Sequence, residues 1–302
     1  MNGLVIKSTG SIFTVMDSEG LEHSVRVKGR LRLDGCRKTS PVAIGDIVDV
    51  EGDVITGINE RKNYIIRRSS NLSKESQVLA ANVDQALLVV TLTKPETAVE
   101  FIDRFLVTAY AYRVPVIIAF NKIDIYTDED KRLLDAYFNL YELNLNYKCL
   151  RLSTVTGEGI DELRQMLAGK ITLVSGNSGV GKSSIVNKLD ESFRAKTAEI
   201  SQVHLTGMHT TTYSEMYQYN GGYVIDTPGI KGFGTVDIEA SEVGHFFPEI
   251  FKEAEKCRFS DCTHTKEPGC AVIKAVEEHR ISNSRYCSYL SIMQDATQEK
   301  YR

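Results

Sequence analysis

Apolar and polar positions change rhythm twice along the chain. Up to about residue 68 the rhythm is that of short strands, with no convincing helical stretch. In Val25-Arg26-Val27-Lys28-Gly29-Arg30-Leu31-Arg32-Leu33 the alternation puts Val25, Val27, Leu31 and Leu33 on one face and Arg26, Lys28, Arg30 and Arg32 on the other. Residues 4–6, 11–16 and 46–50 read as further strands, and the regular Gly-rich turns between them predict a small barrel. A polar connection follows over 69–77. From Gln85 the texture becomes alternating strands and helices. Residues 85–92 and 116–120 are apolar, β-branched runs suited to strands buried on both faces. Between them Val99, Ile102, Phe105, Leu106 and Ala109 recur at helical spacing. Helices are then expected over 128–143, over 161–167 and after Lys182, and strands over 147–152, 171–175, 213–219 and 223–225. Such alternation predicts a mostly parallel sheet covered by helices on both faces. Beyond about Ala240 the pattern turns helical, and 271–302 is polar enough to form one or two surface helices.

Composition narrows the class. A length of 302 residues allows two or three domains, and 42% hydrophobic with 25% charged residues is ordinary for a globular protein. The apolar run near residue 1 is too short for a secretory signal, and no stretch reaches bilayer-spanning length, so a cytoplasmic protein without membrane contact is expected. The net charge of −4 argues against coating nucleic acid by bulk electrostatics. Its distribution is uneven: residues 1–75 carry 12 Lys and Arg against 10 Asp and Glu. Any nucleic-acid contact should therefore be local, with the Arg26/Lys28/Arg30/Arg32 face as one candidate and a plain solvated strand face as its alternative.

Two motifs carry specific chemistry. Gly176-Asn177-Ser178-Gly179-Val180-Gly181-Lys182-Ser183 fits G-x-x-x-x-G-K-[ST] between an apolar strand and a helix. Its glycines let successive backbone N–H groups face one concavity, Lys182 can reach the β- and γ-phosphates, and the Ser183 hydroxyl can hold Mg²⁺. Asn121-Lys122-Ile123-Asp124 follows a strand, where the Asp124 carboxylate can accept from both guanine N1–H and the exocyclic amine. Adenine presents the wrong pattern to that carboxylate. Ser153-Thr154-Val155-Thr156-Gly157 is a weaker second guanine-contacting loop.

Asp226-Thr227-Pro228-Gly229 ends a strand, so that Asp226 can serve Mg²⁺ and the Gly229 N–H can sense a γ-phosphate. Upstream, one hydroxyl of the His209-Thr210-Thr211-Thr212 run can join the Mg²⁺ shell. Spacing does not choose among the threonines; Thr211 is taken as the candidate. These are the parts of a GTPase in permuted order, with the base reader before the phosphate loop. The permutation leads the Asp226–Gly229 turn directly into the C-terminal region. There Cys257, Cys262, His264 and Cys270 form C-x4-C-x-H-x5-C, four soft ligands in one short polar loop. They suit a closed tetrahedral Zn²⁺ site of structural type, whereas Cys149 in its apolar run reads as a core thiol.

Taken together, these motifs resemble the circularly permuted, ribosome small-subunit-dependent GTPase A family of bacteria (RsgA/YjeQ type), and the likeness covers essentially the whole chain. The resemblance implies a multidomain α/β protein. Its parts are an N-terminal OB-fold barrel over 1–68, a circularly permuted P-loop GTPase domain over 69–238 and a helical zinc-binding domain over 239–302. It implies GTP and GDP binding through Asn121–Asp124 and through Gly176 to Ser184, one structural Zn²⁺, Mg²⁺ with the nucleotide, and a small ribosomal subunit whose rRNA is bound and which stimulates hydrolysis. A monomer is the default state. The chain departs from the family pattern at two positions and in one missing segment. Met208 stands where a basic or polar residue is common, His279 where a helix-breaking glycine is common, and no long basic arm precedes the barrel.

Ile230 follows the Asp226–Gly229 turn where many GTPases carry the glutamine that orients water, so hydrolysis alone should be slow. The missing group is either His209 or one supplied by the ribosome. Two alternatives stay open: a GTP-gated RNA clamp with incidental turnover, and a GTPase serving another ribosomal or signalling partner.

Overall fold

Alternation in the first strands produces a closed barrel. In the computed structural model, which describes residues 1–9, 12–27, 42–68, 76–190, 214–226 and 238–299, β1 (Asn2–Thr9), β2 (Ile12–Met16), β3 (Glu22–Val27), β4 (Ile47–Glu51) and β5 (Val54–Ile58) pair in the order β1-β2-β3-β5-β4, and β4 returns to β1. Only β3 and β5 run parallel. This is the five-stranded, Greek-key closure of an OB-type barrel. The inward alternates Val5, Phe13, Val15, Val25, Val48, Val50 and Ile55 fill it. β3 begins at Glu22, three residues before the alternation does; Arg26 lies on it and is exposed, whereas Lys28, Arg30 and Arg32 lie outside the described residues.

A two-stranded ribbon of β6 (Tyr64–Arg68) and β7 (Ser76–Ala81) follows, so Ser76 and Gln77 belong to a strand and not to the expected polar connection. Ile44 bridges Ala80, and Arg61 grips the fully buried Asp46 with two bonds of 2.6 and 2.7 Å, which ties the barrel to this ribbon. Such a fork-on-carboxylate arrangement restores the bonds that Asp46 loses by burial.

The expected parallel sheet comes next. β8 (Gln85–Val90), β9 (Val116–Phe120), β10 (Lys148–Arg151), β11 (Ile171–Ser175) and β13 (Gly222–Asp226) lie in the order β10-β9-β8-β11-β13, all parallel, with β12 (Ser214–Tyr219) antiparallel beside β13. Every residue of β8 and β9 is buried, as their largely apolar runs require, and the buried Gln85 amide donates to the Met166 carbonyl and the Thr172 hydroxyl. On one face pack α1 (Val99–Ala111) and α2 (Asp128–Phe138), the latter continued by a π-helical turn over Asn139–Asn144. On the other pack α3 (Ile160–Leu167) and α4 (Lys182–Leu189). A capping box between Thr127 and Asp130 starts α2. β12 also pairs with β1, through Lys7 opposite Glu215 and Ser8 opposite Ser214, so one sheet runs from the nucleotide-type fold into the barrel.

Helices α5 (Pro248–Ala254), α6 (Ala271–Glu277) and α7 (Asn283–Glu299) complete the described residues. They bury Val243, Phe247, Ile250, Val272, Ala275, Ile281, Tyr289 and Ile292 against Val107 of α1. Residues 271–299 thus form two helices, as expected, but each buries one face rather than lying wholly on the surface. α7 is polar because two of its buried positions, Arg285 and Ser288, are bonded to a buried carboxylate of α1.

Candidate functional site

Register places the motif loops along one edge. Phe120 is aligned with Val90 and Arg151, Ser175 with Leu88, and Asp226 with Val174, so the loops after β10, β9, β8, β11 and β13 all leave the carboxyl ends of neighbouring strands. Open parallel sheets bind ligands at that edge.

The phosphate loop turns through glycines that nothing else can replace. Gly176 has φ +143° and a Cβ there would overlap the Val89 carbonyl oxygen; Gly181 has φ +99° and a Cβ there would overlap the Asn121 amide nitrogen. α4 then starts at Lys182 with no acidic residue in its first turn and no side-chain cap. By contrast α2 opens on Asp128, Glu129 and Asp130, and α3 on Asp161 and Glu162. A helix start without a carboxylate leaves N–H groups and the positive dipole end for an anion. The Lys182 ammonium donates to the Gly176 and Asn177 carbonyls, both at 2.8 Å. Val180 is buried beneath the loop, while Ser178, Ser183 and Ser184 are exposed.

The base-reading loop is bolted to the phosphate loop. Asn121, only 1% exposed, donates from Nδ2 to the Val180 carbonyl at 2.8 Å, and its Oδ1 is buried without a protein partner. Lys122, at φ +63°, sends Nζ to the Gly179 carbonyl at 2.7 Å and to the Lys94 carbonyl at 2.6 Å. Tyr126 donates to the Asn121 carbonyl and accepts from the Leu92 N–H, both at 2.9 Å; burial pushes its phenol up to about 12. The end of this loop is a short 3₁₀ turn over Ile123–Ile125. Asp124 is exposed, and its Oδ1 accepts from Ser153 Oγ at 2.6 Å. Ser153 Oγ in turn accepts from the N–H groups of Val155 and Thr156, so the Ser153–Thr156 turn, including Thr154, orients the carboxylate. The isolated chain does not bury Asp124; the desolvation that makes a wrong base costly arises only when a base covers it.

Sequence reasoning missed one member of this site. The connection 91–98 between β8 and α1 supplies the Lys94 carbonyl, and Pro95 lies against Gly179. Nothing in its composition signals that role. Asp226 stands at the end of β13 as expected, whereas His209, Thr211 and Gly229 lie outside the described residues.

In the connection between α5 and α6, the ligand atoms of Cys257, Cys262, His264 and Cys270 all lie within 4.8 Å of one another. Cys257 Sγ is 3.9 Å from Cys270 Sγ and 3.6 Å from His264 Nδ1, and Cys270 Sγ is 3.4 Å from that nitrogen. A tetrahedron with Zn–S bonds of about 2.3 Å has S···S edges of about 3.8 Å, so these four residues fit one Zn²⁺ with no position left open. Cys149, by contrast, is buried in the sheet, where burial pushes its thiol up to about 12; it is an inert core group.

The sequence model of the RsgA GTPase family matches residues 58–236. The chain belongs to that family. It is 56% identical to the small ribosomal subunit biogenesis GTPase RsgA of Bacteroides fragilis, over 100% of this chain and 99% of that protein. It is 52% identical to the protein of the same name in Porphyromonas gingivalis, with the same coverage. Among solved structures it resembles YjeQ from Thermotoga maritima, with a TM-score of 0.79 and 33% identity over 98% of both chains. It also resembles YloQ, a circularly permuted GTPase, with a TM-score of 0.73 and 27% identity over 100% of this chain and 96% of that one. This member of the RsgA GTPase family is accordingly a GTP hydrolase built on a permuted fold, with an N-terminal barrel and a site for one zinc ion.

Proposed function

We propose that the protein hydrolyses GTP to GDP and phosphate while bound to the small ribosomal subunit, and that it acts in the late maturation of that subunit. The bonds from Asn121 to Val180 and from Lys122 to Gly179 carry the nucleotide half of this reading, since they weld a guanine reader to a phosphate cradle. The names of the relatives, all small ribosomal subunit biogenesis GTPases, support the partner. In the division of labour we infer, residues 1–68 contact rRNA through the Arg26, Lys28, Arg30 and Arg32 face. Residues 69–238 bind and hydrolyse the nucleotide, and residues 239–302 form the zinc module. The protein works as a monomer in the cytoplasm. Among the described residues no helix is long and apolar enough to cross a membrane.

Guanine is read by Asp124, held by Ser153, with Asn121 and the stem of Lys122 against the base and Thr154 beside it. The N–H groups of Gly176 to Ser184 cradle the phosphates, and Lys182 leaves the Gly176 and Asn177 carbonyls to pair with the β- and γ-oxygens. Ser183, Thr211 and Asp226 would hold Mg²⁺, which supplies charge neutralisation at the phosphates when bound. The Gly229 N–H senses the γ-phosphate. With Ile230 unable to orient water, His209 takes that role, in a geometry completed on the subunit. GTP turnover measured with and without purified small subunits is the test. Strong stimulation is expected, lost in His209→Ala with GTP binding intact; a rate indifferent to subunits removes the partner, and unchanged stimulated turnover in the variant removes His209.

A further inference from the structure

In the loop that carries the four candidate zinc ligands, one carboxylate gathers four hydrogen bonds around a buried histidine. His264 has φ +56°, the left-handed region, and it is a buried, non-glycine residue. An L-residue costs roughly 1–2 kcal/mol there. The twelve-residue span from Arg258 to Gly269 carries no regular secondary structure to hold this turn. Its neighbours are instead pinned by one carboxylate. Glu267 Oε1 accepts from the Thr263 N–H at 2.8 Å and the Thr263 hydroxyl at 2.6 Å. Glu267 Oε2 accepts from the Thr265 N–H at 2.9 Å and the Lys266 N–H at 3.0 Å. Both sides of the histidine are therefore tied to one rigid group. The carbonyls of the same turn are held from α7: Tyr286 donates to the His264 oxygen at 2.7 Å and Tyr289 to the Thr263 oxygen at 2.8 Å.

We propose that Glu267 is the positioning residue of the metal site, pre-setting the left-handed turn that aims His264 Nδ1 at Cys257 and Cys270. Ordering this loop opposes metal capture unless the turn exists beforehand; the carboxylate supplies it in advance, as supporting partners of metal ligands do elsewhere. Glu267 itself lies three residues from both His264 and Cys270 and is not needed as a ligand, because the four soft donors already complete a tetrahedron.

The proposal rests on the zinc reading of the cluster, and the experiment separates the two. Full-length protein and Glu267→Gln are compared in chelator competition for Zn²⁺ and in Co²⁺ absorption spectra. Glu255→Gln, which removes an exposed charge two residues from Cys257, controls for electrostatics. The amide nitrogen of Gln cannot accept, so half of the carboxylate's bonds are lost. Zn²⁺ affinity is expected to fall 10- to 100-fold in Glu267→Gln and to change less than 3-fold in Glu255→Gln, magnitudes in line with lost support around metal ligands. The tetrahedral Co²⁺ spectrum is expected to persist at saturation, and the main unfolding midpoint of the chelator-treated proteins to stay the same. Equal affinities for Glu267→Gln and the parent, or equal losses in both variants, overturn the role of Glu267. A parent protein that binds no stoichiometric zinc overturns the metal reading instead.

Discussion

At the scale of single residues, two positions show how local geometry decides consequence. In its proposed role Asp124 presents two acceptors to a base, one already engaged by Ser153. Asn at this position would offer one acceptor and one donor, which matches N1–H and the C2 carbonyl of xanthine and clashes with the guanine amine. Asp124→Asn is therefore expected to lower GTP affinity about 10²-fold or more and to raise affinity for xanthosine triphosphate, read by competition binding. His279, where the resemblance leads one to expect glycine, has φ +58°. It follows α6, with the Arg280 N–H bonded to the Ala275 carbonyl and the His279 N–H to that of Val276, the paired bonds of a Schellman cap. The departure from pattern is a strained cap and not a shifted helix end. His279→Gly should stabilise the protein by about 0.5–1 kcal/mol, the relief of the left-handed residue less the added freedom of glycine when unfolded; a denaturant midpoint that falls would refute this.

At the scale of elements, α1 and α7 are joined by a buried polar node. Asp103, fully buried on α1, accepts from Arg285 at 2.8 Å, Tyr141 at 2.9 Å and Ser288 at 2.6 Å. Arg285, 1% exposed, also donates to Glu249 at 2.7 Å and stacks on Phe247 at 4.4 Å. One signal of this node was legible: an aspartate among Ile102, Phe105, Leu106 and Ala109 on the apolar face of a helix calls for a partner. Its partner, 182 residues later, was not, because nothing local to α7 says which helix it meets. Arg285→Met leaves Asp103 buried without its cation, and should cost about 3–5 kcal/mol. The double variant Asp103→Asn with Arg285→Met should recover part of that loss. Urea unfolding of the single and double variants checks both, and purely additive losses would mean that the pair is not coupled.

At the scale of the whole molecule, the sheet passes from the permuted GTPase fold into the barrel through the β12–β1 pairing, reinforced by Lys7 and Glu215 at 3.2 Å. With a net charge of −4, nucleic-acid affinity must come from a local face and not from the overall field. If that face contains Arg26 and Lys28, then Arg26→Glu with Lys28→Glu should weaken subunit binding and reduce the logarithmic salt slope by about 1.5–2, two phosphate contacts' worth. An unchanged slope would exclude the face.

Much of this was readable from the chain alone, because it depends on periodicity and on short-range spacing. Strands buried on both faces need unbroken apolar runs, a phosphate cradle needs glycines at set intervals, and a zinc knuckle needs its ligands within one loop. Those requirements are met within a few residues, so Gly176–Ser183, Asn121–Asp124 and the Cys257, Cys262, His264 and Cys270 cluster could be singled out in advance as candidates. What depends on long-range packing could not. The seat of Asn121 on Val180, the Lys94 carbonyl beneath Lys122, the Asp103–Arg285 node and the hold of Tyr286 and Tyr289 on the zinc turn all join groups far apart in sequence. Each of those side chains can satisfy its bonds in several ways. Only the folded arrangement, by excluding water and the other partners, leaves one.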